Sequence, residues 1–335
     1  MQKQKVLLVF DSPYFTPRGY DFKKEFQDPN WNTENDVYNA LLANKHTVSL
    51  LGLYNDISIL LEEVKENKPD IIFNLAEVFD QKSHLEKNVT AIFELLQIPY
   101  TGASSTNLVI CGDKALSKKI LRFHRIRVPR FYAFYRGHKI WLPKRLRLPL
   151  IVKPLTEEAS RGISQASVVD SEESLVERIK FIHLSMKNDA IAEEYIEGRE
   201  LYAGVFGNKR IKVLPLREMK FGDLGEDESR IATYKAKWDS AYREKRGIKN
   251  VFAGRLPDGL TEKIEDICKR AYRALEFRCY ARFDIRVTSD SKIYILEANA
   301  NPCLSMDDEL AQAADKANIT YNKLVQKIIA ISLKR

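Results

Sequence analysis

Two runs near the end of the chain hold the residues best suited to chemistry, Ala281-Arg-Phe-Asp-Ile-Arg286 and Ile293-Tyr-Ile-Leu-Glu-Ala-Asn299. Successive side chains of a strand point to opposite faces. Arg282 and Asp284 therefore share one face while Phe283 and Ile285 take the other, and Glu297 and Asn299 share a face as well. If the two strands pair, Asp284, Glu297 and Asn299 gather oxygen donors of the kind a hard divalent cation takes, with phosphate oxygens completing the set. A guanidinium beside them suits a phosphoryl group in transfer. A surface hairpin would also alternate polar residues. The turn Asn299-Ala-Asn-Pro302 directly beside the cluster argues against that reading.

Two lysines sit where a rigid element would aim them. Lys153 ends the apolar run of Leu150-Ile-Val-Lys-Pro154 and precedes the polar loop Thr156-Glu-Glu-Ala-Ser-Arg-Gly162. A lysine on a strand anchors phosphate, and loop amides of small residues such as Ser160 can cradle it. The loop is not Gly-x-x-x-x-Gly-Lys-Ser/Thr, so it is no P-loop. Lys114 opens a helix after Gly112-Asp113, another phosphate-compatible place. Taken singly, either lysine could be a solvated surface residue. In Ala192-Glu-Glu-Tyr-Ile-Glu-Gly-Arg-Glu200 a strand enters a glycine turn with acids on both sides. Those acids could hold an amine and a ribose hydroxyl, or simply form an acidic turn.

Positioning these residues requires an alternating fold. Residues 5–10, 47–51 and 70–75 read as strands and 36–43, 57–66 and 85–96 as helices, the order of a parallel, doubly wound sheet. Pro99-Tyr-Thr-Gly102 breaks the pattern. Beyond it, helices are expected at 113–123, 261–275 and 318–333. A further helix carries Leu175, Ile179 and Ile182, with Asp170 and Glu173 as its capping box. Strands are expected at 148–154, 190–195, 199–206, 210–215, 280–287 and 292–298, with a hairpin at Gly207-Asn208. Residues 220–258 show no clear element, and a loop of that length suggests a functional lid.

Composition narrows the classes. The 335 residues carry 54 Lys plus Arg against 46 Asp plus Glu, a net +8, with 44% hydrophobic and 30% charged. That is a globular composition with enough apolar surface for a core. No run approaches a membrane span and no leader pattern is seen. Cys111, Cys268, Cys279 and Cys303 form no Cys-x-x-Cys pair, so neither a zinc ribbon nor a disulfide framework is expected, and a reducing cytoplasm fits. A nucleic-acid partner is not expected, since no basic stripe interleaved with aromatics and no common binding motif is seen.

In this order the pieces resemble the ATP-grasp superfamily, and within it the D-alanine–D-alanine ligase group, over residues 70–330. The resemblance rests on Ile98-Pro-Tyr-Thr-Gly102, Gly112-Asp-Lys114, Leu150-Ile-Val-Lys-Pro154, residues 193–200, Tyr234-Lys-Ala-Lys-Trp238, Ala281-Arg-Phe-Asp284 and Leu296-Glu-Ala-Asn299. It implies an α/β (α+β) ATP-grasp fold behind an N-terminal doubly wound domain. The expected divisions are 1–102, a central subdomain at 103–192 and a C-terminal subdomain at 193–335. It implies ATP with Mg2+, two ions by family habit and Mn2+ as a substitute. Lys114, Lys153 and Ser160 would meet the phosphates. Glu193, Tyr195, Ile196 and Leu296 would lie along the adenine, and Glu200 would take the ribose. Asp284, Glu297 and Asn299 would hold the metal. Lys237 would reach the γ-phosphate from the lid, and Arg282 would stabilise the phosphoryl group in flight. The implied reaction joins a carboxylate to an amine through an acyl phosphate, the partners being small amino-acid-like molecules and, by family habit, a second copy of the chain. A catalytically silent ATP-binding regulator or scaffold is the alternative, against which Arg282 speaks.

The departures from the family pattern all fall on the substrate side. The first strand runs into Asp11-Ser-Pro-Tyr-Phe15 and lacks the family's glycine-rich segment with its substrate-gripping glutamate. Ala159-Ser160 replaces a pair of serines. Cys303, in Asn301-Pro-Cys-Leu-Ser305, stands where a glycine is usual. Together they imply the family's reaction on a different acid–amine pair. A reactive thiol at Cys303 would need a lowered pKa. Otherwise it is a small residue lining the pocket.

Overall fold

The computed structural model describes residues 2–157, 159–222, 224–225 and 228–334. Glu158 of the expected phosphate loop and Asp223, Glu226 and Asp227 of the 220–258 stretch lie outside the described residues.

The chain opens as β1 (Lys5–Asp11), α1 (Asn32–Ala43), β2 (Thr47–Leu53), α2 (Ser58–Glu66), β3 (Ile71–Asn74) and α3 (Glu86–Leu95). The strands form a parallel sheet in the order β2-β1-β3. Because helices cover both faces, β1 is apolar without alternation. Val6, Leu8 and Phe10 join the core with Val37 and Leu41 of α1, while Leu7 and Val9 join Leu60 of α2 and Phe93 of α3. This is the doubly wound arrangement that the sequence pattern implies.

Next come α4 (Ser105–Gly112), α5 (Lys114–Phe123), β4 (Phe131–Phe134), β5 (Leu150–Pro154), β6 (Val168–Val169), α6 (Glu172–Ser185) and β7 (Ala190–Glu194). The strands make an antiparallel sheet, β4-β7-β5-β6. The expected Asp170/Glu173 capping box is corrected by one residue. Ser171 caps α6 by accepting from the Ser174 N–H, and Ser174 answers in kind.

The remainder is β8 (Arg199–Phe206), β9 (Lys212–Val213), β10 (Arg217–Lys220), α7 (Tyr234–Trp238), α8 (Ser240–Arg246), β11 (Lys249–Phe252), α9 (Leu260–Ala274), β12 (Tyr280–Val287), β13 (Ile293–Ala300), α10 (Glu309–Lys316) and α11 (Tyr321–Ser332). Its sheet runs β11-β10-β8-β12-β13, with β9 hairpinned onto β8. The 220–258 stretch is therefore not without elements, as its sequence suggested. It holds α7, α8 and β11. Its helices are too short to show a period, and each is started by a side-chain cap, Thr233 to Ala236 and Asp239 to Tyr242. Gly247, at φ +62, stops α8. Neither α4 nor α10 was legible in the sequence. Among the described residues no helix is long and apolar enough to cross a membrane.

Candidate active site

The β12–β13 pairing sets Asp284 opposite Glu297 and Arg282 opposite Asn299, with a register shift just after Asp284. The four polar side chains converge as their alternation implied. Asp284 Oδ1 accepts from Arg282 Nε at 2.8 Å and from Asn299 Nδ2 at 3.0 Å. Lys237 Nζ on α7 lies 3.8 Å from Asp284 Oδ2. Glu297 Oε1 lies 3.1 Å from Lys114 Nζ. Burial alone would raise the Glu297 carboxyl, but Lys114, Lys237 and Lys153 outweigh it and hold its pKa at about 2. Burial opposes the charge of Arg282 too, and Asp284 restores it, so this guanidinium stays cationic.

Local structure explains the aim of each lysine. Asp113 caps α5 by accepting from the Ala115 and Leu116 N–H groups, at 2.8 and 2.9 Å. The Lys114 N–H then bonds Leu155 O at the end of β5, so Lys114 starts beside Lys153. Lys153 Nζ lies 3.4 Å from Glu193 Oε2 on the neighbouring strand β7.

A residue that the sequence reading missed completes this group. Lys118 is 2% exposed, donates to the Leu296 carbonyl, and lies 3.3 Å from Glu193 Oε1. Burial pushes its pKa down, and Glu193 resists. Removing one partner of such a buried pair costs about 3–5 kcal/mol, because the other charge is stranded. The available signal was its spacing, one helical turn after Lys114 on the same face. Glu193, expected along an adenine, is 0% exposed and faces two lysines.

A third group surrounds Glu200. Its cross-strand neighbour on β12 is Arg286, which donates to Glu200 Oε2 at 2.5 Å, and Tyr202 donates to Oε1 at 3.0 Å. Arg286 continues the alternation of Arg282 and Asp284 and could have been found that way. Its guanidinium also lies 5.9 Å from the Tyr195 ring. Tyr195 and Glu200 line a neighbouring cavity with Met219, Phe221 and Arg230, and Met219 also lines the cavity of Arg282 and Glu297. Ile196 is half-buried, and Leu296 enters through its carbonyl. Ser160, in left-handed backbone at φ 58, is not among the residues lining the main cavity, although Ala159 and Arg161 are.

That main cavity, about 240 Å³, is lined by Lys237, Arg282, Glu297 and Asn299, and also by Arg243, Asn250, Asp308 and Glu309. It meets a second cavity at Glu77, Trp238, Asn301, Pro302 and Cys303. Asp11 and Glu34 also line the second cavity, and no lysine or arginine is among its described lining residues. Burial raises both carboxyls, and with the charge of Asp11 added Glu34 reaches about 7. These acids come from β1 and α1, whose sequence showed no motif. Burial likewise raises the Cys303 thiol, and Asp308 adds to it, so this thiol stays protonated and is not an activated nucleophile. None of the four cysteines forms a disulfide.

The donor set fits a hard cation. Asp284 and Glu297 offer carboxylate oxygens, and turning over the Asn299 amide, whose two ends are interchangeable in shape, would present its oxygen. Among the described residues no three His, Cys, Asp or Glu converge on one metal position, so phosphate oxygens would have to complete the shell. The clustered lysines fit an anion as well. Five cations, Lys114, Lys118, Lys153, Lys237 and Arg282, are paired with three carboxylates, Glu193, Asp284 and Glu297, and the cavity lining adds Arg161 and Arg243 together with Glu77, Glu157, Asp308 and Glu309.

Comparison with known proteins follows the same lines. The sequence profile described as the D-ala D-ala ligase C-terminus matches residues 126–330. The uncharacterized protein y4sG of Sinorhizobium fredii is 31% identical over 265 residues, 79% of this chain and 75% of its own length. A D-alanine–D-alanine ligase of Bacillus anthracis is 28% identical over 304 residues, 90% of this chain and 91% of its own. A crystal structure of the D-alanine–D-alanine ligase from Bacillus anthracis complexed with ATP has the same fold, with a TM-score of 0.75 and 24% identity, covering 99% of this chain and 98% of that one. The ligase structure from Coxiella burnetii gives a TM-score of 0.72 at 17% identity, covering 100% and 95%.

Proposed function

Because the chain belongs to the D-alanine–D-alanine ligase family and is an ATP-grasp ligase forming C–N bonds, we propose that it activates the carboxylate of a small amino acid as an acyl phosphate and passes the acyl group to an amine. The convergence of Lys114, Lys153 and Lys237 on Glu297 and Asp284 carries this reading, since lysines and carboxylates gathered at one place suit a polyphosphate with its metal between the antiparallel sheets. Lys114 and Lys153 neutralise the α- and β-phosphates, with Lys118 and Glu193 holding Lys153 in place. Lys237 and Arg282 meet the γ-phosphate. Asp284, Glu297 and Asn299 would hold divalent metal, two ions in this reading, which would supply charge neutralisation on the phosphates.

In the first step a substrate carboxylate oxygen bonds to the γ-phosphorus, and ADP leaves with the electrons of the broken P–O bond. In the second the amine nitrogen bonds to the acyl carbon, phosphate leaves, and the amine loses a proton. No side-chain nucleophile is needed; the protein positions groups and neutralises charge. The second cavity supports an amino acid as the activated substrate. Asp11 and Glu34 would face its ammonium while its carboxylate points past Cys303 towards Lys237 and Arg282. The division at about residues 102 and 192 belongs to the same reading, with the parallel-sheet unit supplying the substrate side and the two antiparallel units the nucleotide side.

Product analysis tests the reading. Protein, ATP, Mg2+ and pools of D- and L-amino acids and hydroxy acids should yield ADP and an adduct one water lighter than two pool members. Asp284→Asn should lower turnover by a factor of about 100 or more, as losing a transition-state electrostatic group does. AMP in place of ADP would replace the acyl phosphate with an adenylate. Tight ATP binding without turnover in any mixture would favour a nucleotide-binding scaffold.

A further inference from the structure

A second charged surface lies away from the catalytic cavity and shares no lining residue with it. The last turn of α5 and the segment after it bring Arg122, Arg125, Arg127 and Arg130 to the surface, all exposed, while Ile126 and Val128 are buried at 3% and 7% exposure. The Ile295 N–H bonds Arg127 O and pins this segment along β13. Across from it stands Arg270 of α9, which donates to the His124 carbonyl at 3.1 Å. The result is a groove of about 420 Å³ with five arginines on its rim and an aliphatic floor of Ile126, Val128, Ile267 and Ile293. No carboxylate lines it. Asp266 stands one turn before Arg270 on the same face of α9, 3.7 Å from it, and with Glu262 lines an adjoining cavity that shares Arg127, Ile267, Arg270 and Ile293; no described carboxylate lies within 4 Å of the other four guanidiniums.

We propose that this groove is a docking site for an acidic, amphipathic peptide segment of a partner protein. Charge complementarity selects the partner's sign. Five guanidiniums in one small area repel one another, and a run of carboxylates relieves that repulsion through bidentate hydrogen bonds. The floor selects its kind. A phosphodiester backbone gains nothing from four aliphatic side chains, whereas leucine or isoleucine side chains of a peptide would fill the groove between the arginine-bound acids. The groove stands at the opposite end of α5 from Lys114, about 12 Å along the helix. Ile293 is likewise about 13 Å from Glu297 along β13. A docked segment would therefore leave the catalytic residues uncovered, and its parent protein would sit beside a working ligase.

Fluorescence anisotropy of the full chain with three labelled probes at physiological ionic strength tests this. The probes are a short peptide of glutamates interrupted by leucines, an all-glutamate peptide, and single-stranded oligo-dT of equal charge. The leucine-containing peptide should bind most tightly, and Arg122→Glu with Arg127→Glu should weaken it by about tenfold or more while ATP turnover stays unchanged. Equal binding of the all-glutamate peptide, or absence of binding by either peptide, would overturn the proposal. Tighter binding of oligo-dT would overturn it in favour of a nucleic acid. A dimer in sedimentation that the same double variant dissociates would assign the groove to a second copy of this chain.

Discussion

Glu297 and Glu34 start from the same carboxyl chemistry and are driven apart by their surroundings. Three lysines hold Glu297 at about 2, whereas burial beside Asp11 lifts Glu34 to about 7. The signs for stability are opposite. Glu297 contributes stability above its ordinary value of 4.5, and loses it as pH falls towards 2. Glu34 costs stability as pH rises from 4.5 through 7, where the folded protein must ionise it. Glu297 is therefore ionised throughout the working range and sets no limb of a pH profile there. Glu34 does set one. If it faces a substrate ammonium, the KM for the amino acid should fall as pH rises through 7, with up to one proton released on binding below pH 7 and none well above it. Glu34→Gln should raise that KM and flatten its pH dependence. A variant that kept the wild-type slope would remove Glu34 from the substrate site.

At the level of elements, the decisive piece is the segment carrying α7 and α8 between β10 and β11. It is folded down on the loop that follows β5. Trp238 Nε1 donates to Ala159 O at 2.9 Å, Tyr234 N to Ile163 O at 3.1 Å, and Gln165 and Ser229 exchange two hydrogen bonds. Yet Trp238 is 56% exposed and Tyr234 50%, so little apolar burial secures the segment to that loop; its apolar anchor is Ala236, buried with Tyr202, Met219 and Ile248. Segments held mainly by exposed hydrogen bonds open locally at low cost. Trp238→Ala removes one such bond, worth about 1 kcal/mol. It should raise the KM for ATP several-fold and speed proteolysis within 228–247, with little change in melting temperature and with ATP restoring protection. A fall in melting temperature with no change in KM would make Trp238 a packing residue rather than a latch.

For the whole molecule, the parallel-sheet unit shares a core with Tyr280, Leu304 and the helices α10 and α11, and a polar contact at the end of the catalytic strand adds to it. Asn301, just past β13, accepts from the Ala103 N–H at 2.8 Å through Oδ1 and donates through Nδ2 to Glu86 Oε1 at 2.8 Å. Gly102 makes the approach possible. It sits at φ +86, and a Cβ there would fall 2.3 Å from Asn301 Oδ1. Gly102→Ala should therefore cost about 1–3 kcal/mol through strained backbone and the displaced amide. It should also slow turnover, because Pro302 and Cys303 of both cavities follow directly. Thermal melts and kcat check this together. An unchanged melt would mean that the two units are not clamped here.

The residue pattern by itself determined the parallel opening sheet, the β12–β13 polar face and the family, because these are written in short-range periods and in motifs whose order survives folding. Alternation was enough to put Arg282 with Asp284, and Glu297 with Asn299. Only the tertiary structure decided which charges meet. Glu200 and Arg286 are 86 residues apart, and Lys118 and the Leu296 carbonyl 178, and no local period encodes such pairs. The acid-lined second cavity was hidden for the same reason, since Asp11 and Glu34 meet Cys303 only when β1, α1 and the turn after β13 converge. The short helices α7 and α8 stayed illegible because their stability comes from caps and docking, and not from a repeating apolar face.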